Sequence, residues 1–267
     1  MTVPRVAALF HYPIKSCRGI SLQRAELTRF GLERDRHWMI VDAEGRFVSQ
    51  RELPALALIE PDIVVGQLRL RASGMPDLLV PERTSKPIEV EVWHDRSLAY
   101  DAGGEAATWI SDFLGAACRL VALGPAFERT VDPAFDRFGS SVAFSDGYPL
   151  LLLSEASLED LNARMADQLP MNRFRPNLVV TGCAPYAEDD WRELEIGDVR
   201  LHVVKPCARC AITTVDQDQG QFAGKEPLRT LARYRRGEKG KVLFGQNVIH
   251  ETTTGVLYVG ATIKVIA

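Results

Sequence analysis

The first hundred residues are cut by turn residues so often that no helix of ordinary length fits between them. VAALF, LQRAEL, HWMIVD, RFVSQ, ALIEPDIVV, QLRLRA and IEVEVW are short, β-rich runs, divided by material such as AEG, ASGMPD and ERTSKP. Such punctuation permits short strands and tight connections and little else. The first clear helical pattern, GEAATWISDFLG, begins near Gly104, with Ala107, Ile110 and Leu114 at helical spacing. A strand, CRLVALG, follows, and then a polar loop from Pro125 to Ser141 that can connect two halves. Beyond it, SEASLEDLNARMADQ reads as a helix with serines to cap it, and EPLRTLARYRR as another. RPNLVVTG, RELEIGDVRLHVV, CAITTVD, LFGQNVI and GVLYVGATIKVIA read as strands. Strict alternation of strand and helix is missing, which argues against a doubly wound sheet. The expected class is α+β, centred on a β-barrel.

With 267 residues, 46% of them hydrophobic, the chain can bury one large core or two modest ones. A net charge of -3 gives no general attraction to nucleic acid or to an anionic membrane. Any anion site must then be a local cluster of cations. No apolar run reaches the roughly 18 residues that would span a bilayer. The N-terminal MTVPRVAALFHYP has no cationic segment leading into a long apolar one. A cytoplasmic protein without a membrane or nucleic-acid partner is expected. The five cysteines are sparse and odd in number, which argues against a secreted disulfide framework.

Two of those cysteines stand three positions apart in KPCARCAITTVD, Lys205 to Asp216. A structural zinc site needs four ligands, yet Cys17, Cys118 and Cys183 are isolated, and neither His202 nor His250 belongs to a paired-histidine motif. A thioredoxin-like redox pair needs a helix N-terminus at its first cysteine, whereas the residues after Cys210 read as strand. Two small residues buried at a strand entrance also satisfy the pattern. Against that plain reading, Lys205 and Arg209 set a cation beside each thiol, and Pro206 stiffens the loop. Positive charge favours thiolate, the form that ligates soft metals.

Three further segments carry cations on loops. YPIKSCRG places Lys15, Ser16 and Arg18 at a bend that offers amides, a hydroxyl and positive charge to a phosphate. GLERDRHWMIVD sets Arg34 and Arg36 just ahead of an apolar strand. NRFRPNLVVTG does the same with Arg173, Arg175 and Asn177, since Pro176 disfavours helix at Arg175. FSDGYPLLLLSEAS joins a tight turn at Asp146 and Gly147 to a fully apolar strand. No dinucleotide, P-loop, zinc-protease or serine-hydrolase motif is present. Loop-borne cations and one favoured thiolate suit a large anionic cofactor that brings its own reactivity.

Seven of these segments, in order from about Tyr12 to the C-terminus, resemble the MOSC proteins (molybdenum-cofactor-sulfurase C-terminal domain). They are YPIKSCRG, GLERDRHWMIVD, SDGYPLLLLSEASLEDLN, NRFRPNLVV, KPCARCAITTVDQDQG, KEPLRTLARYR and LFGQN. They most resemble the branch that carries the MOSC N-terminal domain, which includes the mitochondrial amidoxime-reducing component and bacterial relatives. The resemblance implies residues 1–122 as an N-terminal β-barrel-like region and 123–267 as the MOSC domain, with the first ~40 residues joining the cofactor site.

The same resemblance implies a molybdenum cofactor, a molybdopterin, with Cys210 as the catalytic metal ligand and Cys207 as bystander. It implies cofactor contacts from Lys15, Ser16, Arg36, Arg175, Asn177 and Arg209, and a pterin pocket lined by Asp146, Gly147 and Tyr148. The implied activity is an oxidoreductase that cleaves the N–O bond of a small N-hydroxylated substrate. A carrier or sulfur-transfer protein without turnover is the competing reading. Pyridoxal phosphate enters only by family association, through the enzyme domain of cofactor sulfurases. No four-cysteine cluster motif follows the last strand, so electrons are expected from a separate protein, a ferredoxin or flavoprotein reductase.

Overall fold

The strand Arg5–His11 lies inside a sheet built otherwise almost wholly from the second half of the chain. Val6 and Leu9 point into the core, and the strand pairs antiparallel with Leu178–Thr181 on one side and Ile20–Leu22 on the other. The computed structural model describes residues 3–80 and 87–267. In this eight-stranded sheet the order runs Ile20–Leu22, Arg5–His11, Leu178–Thr181, Leu150–Ser154, Leu243–His250, Val199–Ala208, Glu193–Ile196 and Lys264–Val265.

The apolar run LLLLS forms the strand Leu150–Ser154, parallel to Leu178–Thr181 and antiparallel to Leu243–His250. Its continuous hydrophobicity has a structural cause. Leu150 and Leu152 enter one core cluster, while Leu153 enters another with Leu161, Phe174 and Phe244. A strand covered on both faces favours apolar side chains throughout, and its one polar residue, Ser154, is taken up in capping the next helix.

The β-rich first half builds its own layers. A four-stranded sheet orders Trp38–Val41, Arg119–Leu123, Asp95–Asp101 and Pro87–Val92, and a three-stranded meander runs through Glu60–Val64, Gln67–Arg71 and Leu78–Val80. Most of the expected ERTSKP turn, residues 82–86, lies outside the described residues. The helix Gly104–Leu114 starts where its periodicity begins, buries Ala106, Trp109 and Ile110, and ends on the left-handed Gly115. Among the described residues no helix is long and apolar enough to cross a membrane. Short strands with few helices make the molecule α+β and strand-dominated.

Three elements differ from the sequence expectation. CAITTVD does not run as one strand: Ala211–Thr214 forms a 3-10 turn, and only Val215–Asp216 is extended. The Thr213 hydroxyl donates to the Cys210 carbonyl at 3.0 Å and that of Thr214 to Ala211 at 2.7 Å. Threonine hydroxyls close to the backbone compete with strand pairing, and here they win. EPLRTLARYRR supplies one helical turn, Leu228–Leu231. The SEASLEDLNARMADQ helix covers only Glu155–Asn162, with Ser154 Oγ accepting from the Ser157 amide.

Candidate functional site

Ten loop and strand-end residues picked from the sequence line one half-open cleft with a cavity volume of about 150 Å³. They are Lys15, Ser16, Arg36, Asp146, Gly147, Tyr148, Arg175, Asn177, Arg209 and Cys210. The first strand, paired with Leu178–Thr181 on one side, brings Lys15 and Ser16 here.

Lys15 is buried. Its ammonium pairs with the Asp146 carboxylate and donates to the Phe144 carbonyl at 2.9 Å. Burial pulls the Lys15 pKa down against the opposing pull of Asp146. Ser16 adopts a left-handed backbone, φ 69°, and its carbonyl accepts from Gln50 Nε2 at 2.6 Å. Gln50 and Gln217 exchange amide hydrogen bonds of 2.9 and 3.1 Å, which ties this turn to the loop beyond Cys210.

Arg36 and Arg175 share the left-handed conformation, at φ 48° and 57°. Non-glycine residues occupy this region at a cost, so the surrounding contacts must hold them there. Arg36 Nη1 donates to both oxygens of the buried Asp35 and, at 3.0 Å, to Asn177 Oδ1. Both guanidiniums lie over the Tyr12 ring, at 4.2 and 4.3 Å from its centre. Burial raises the Tyr12 phenol to about 12 and lowers Arg175 to about 10, so both keep their usual protonation at neutral pH. Asn177 is committed to the protein: Oδ1 also accepts from the Leu151 amide, and Nδ2 donates to the Phe10 carbonyl. It acts by fixing Arg36 and three strands.

On the opposite wall Arg209 Nη2 donates to the Phe174 carbonyl at 2.6 Å and Nη1 to Cys207 Sγ at 3.1 Å. Cys210 caps the 3-10 turn, and its Sγ accepts from Arg51 Nη1 at 3.6 Å. Lys205 does not reach this wall; its ammonium lies 3.8 Å from the centre of the Phe135 ring. Arg18 and Arg173 serve the same loop from outside, donating to Gln217 and Asp216. Arg34 donates to the Gly66 carbonyl, away from the cleft.

Sequence reading missed Ser49, Arg51, Ser145, Thr213 and Asn247, which also line the cleft. Arg51 is the most consequential, because it is the cation that touches Cys210. Its surroundings, SQRELP, carry no bend of the type that marked Lys15. Only the fold brings it to a thiol 159 positions later.

Three buried donors at the cleft have no partner in the protein: Arg175 Nη2, Arg209 Nε and Ser145 Oγ. Buried polar atoms without partners cost about 1–3 kcal/mol each, so an anionic or polar group entering the cleft would find donors ready for it. Among the described residues no cluster of three or more His, Cys, Asp or Glu side chains could hold a metal unaided. The cleft thus combines many donors for an anion with one well-placed sulfur.

Residues 3–117 match the MOSC N-terminal beta barrel domain and residues 139–264 the MOSC domain. The mitochondrial amidoxime-reducing component 1 of Mus musculus is 44% identical over 245 residues, covering 87% of this chain and 72% of that protein. The chain belongs to the MOSC family. The component 1 of Homo sapiens is 40% identical to this MOSC protein over 276 residues, 97% of this chain and 82% of that one. The component 2 of Bos taurus is 41% identical over 249 residues, 87% and 73% respectively. The two matches leave residues 118–138 between them, which hold the strand Arg119–Leu123 and part of the loop after it, and the cleft draws residues from both matches.

Proposed function

We propose that this MOSC protein holds a molybdenum cofactor in the cleft and reduces N-hydroxylated compounds by cleaving their N–O bond. The observation that carries the reading is the convergence of Cys210 Sγ with three buried, unpartnered donors of Arg175, Arg209 and Ser145. That set fits a group combining an anionic tail, a polar ring system and a metal in need of one protein sulfur. Relatives named as amidoxime-reducing components support the substrate class.

When bound, the cofactor would supply the two-electron redox chemistry that N–O reduction needs. Cys210 Sγ would ligate that metal, and Arg51 would hold the sulfur by its hydrogen bond. Arg175, Arg209, Ser145 and Ser16 would receive the polar and anionic portions, with Arg36 oriented by Asp35 and Asn177. Asp146 is itself anionic; its part is to keep the buried Lys15 charged and in place. Turnover consumes two electrons and two protons and releases water, with the electrons drawn from a separate donor protein.

The protein should be purified from a host that makes the cofactor, assayed for molybdenum and pterin, and tested for benzamidoxime reduction with an artificial electron donor. Near-stoichiometric molybdenum and measurable reduction are expected, with reduction lost in Cys210→Ser. Full activity in that variant would refute the assignment of Cys210. Retained cofactor with no reduction of any N-hydroxylated compound would make the protein a carrier.

A further inference from the structure

Arg51 lines a second cavity besides the cleft, with a volume of about 550 Å³. Its apolar wall consists of Phe47, Val48, Leu53, Trp93, Ala116 and Ala117. The carboxylates around it already have partners: Asp42 accepts from Arg46 at 2.9 Å, Glu52 from the Ser49 amide at 3.0 Å, and Glu91 lies 3.7 Å from Arg96. What the cavity offers an occupant is therefore apolar surface, and aromatic surface above all.

Trp93 stands out by its backbone. Val92 pairs with Asp95, so Trp93 and His94 form a two-residue hairpin turn. Only the first of them has positive φ, 61°, the pattern that ordinarily takes glycine at that place. A bulky residue there is a conformational outlier, and such outliers persist where neighbours over-determine them. The neighbours are identifiable. The indole Nε1 donates to Asp146 Oδ1 at 3.2 Å, the Phe47 ring packs edge-on with centres 5.1 Å apart, and the Arg51 guanidinium lies 4.5 Å from the indole. Despite these contacts the side chain is 41% exposed. A half-exposed indole is thus held at the rim of the cofactor cleft in a backbone conformation that tryptophan rarely adopts.

We infer that this second cavity is the subsite for a planar aryl substituent on the N-hydroxylated substrate, with Trp93 as its stacking platform. The inference rests on the function proposed above. Arg51 fixes the geometry: one guanidinium separates the indole from Cys210 Sγ. A substrate with its ring on Trp93 presents its N–OH end to the cleft, where Arg51 can donate to the hydroxyl oxygen. Small aliphatic substrates reach the same end without using the platform. Arg51 is here a positioning residue for the substrate, and Trp93 a specificity determinant.

The test compares benzamidoxime with acetamidoxime in the cofactor-loaded protein. Stacking on an aromatic ring is worth about 1 kcal/mol, so the ratio of kcat/KM values should fall about five- to tenfold in Trp93→Gly. Trp93→Phe should keep most of the preference. Ala117→Phe places an aromatic ring in the cavity from an exposed loop position outside the cleft lining, and should lower the ratio as well. A second readout needs no turnover. In protein prepared without cofactor, saturation-transfer NMR should show contact to the aromatic protons of benzamidoxime, and Ala117→Phe should abolish it. A ratio unmoved in both Trp93→Gly and Ala117→Phe, with both substrates reduced, would overturn the subsite. If the wild type reduces neither substrate, the proposed function falls, and the NMR contact still decides whether the cavity takes an aryl group.

Discussion

Ser16, Arg36 and Arg175 are left-handed at the same cleft, and each is placed there by a different partner: the Gln50 amide, the Asp35 carboxylate and the Tyr12 ring. Strain held this way pre-positions donors before any ligand arrives. The Lys15–Asp146 pair adds a titratable member to the same wall. Burial works to raise the Asp146 pKa, but the Lys15 ammonium and the Trp93 indole outweigh it and hold the carboxyl below its usual range. An unfolded aspartate titrates near ~3.9, so in the window below that value the folded chain binds fewer protons than the unfolded one. The stability from the pair is present at neutral pH and lost as pH falls through that window. Because the carboxylate is open to solvent on one side, Asp146→Asn should cost only about 1 kcal/mol at pH 7. The gap to wild type should close as pH drops below about 4. Urea unfolding of both proteins at pH 7, 4 and 3 checks the sign.

At the scale of elements, the apolar run LLLLS was legible because burial on both faces leaves no alternation to misread. The helix at Gly104 was legible through its periodicity. CAITTVD was not: a β-branched run reads as strand until the hydroxyls of Thr213 and Thr214 are seen bonding back to the chain. The single turn at Leu228–Leu231 shows the converse, a helical composition whose extent is limited by its surroundings. A glycine in the neighbouring strand gives this scale its test. Gly245 has φ 77°, and a Cβ there would sit 2.9 Å from the Leu152 carbonyl oxygen of the adjacent strand. Both the backbone conformation and the close approach oppose a side chain, and the obstructing atom is backbone. Gly245→Ala should therefore destabilise the protein by about 2–3 kcal/mol, read as a drop in urea midpoint with unchanged slope.

Across the whole molecule, the loop cations were visible locally as charged residues at Pro- and Gly-marked bends. Arg51 and Trp93 were not, because their meaning depends on contacts made far along the chain. The Gln50–Gln217 pair and the Arg18–Asp218 ion pair bind the two family domains across that same distance. The strand Arg5–His11 goes further, since it supplies the neighbour of Leu178–Thr181 in the main sheet. Cutting the chain at the boundary between the two family matches would carry that strand away with the wrong fragment. Residues 123–267 expressed alone should then present Leu178–Thr181 as a bare edge, prone to pairing with other copies. We expect that fragment to be aggregated by size-exclusion chromatography, and co-expression with residues 1–122 to restore a soluble complex. For anyone transplanting the second half into a fusion or a chimera, the portable unit is a discontinuous one, closed like a clasp around its own first residues and carrying the segment that delivers Arg36 and Arg51 to the cleft.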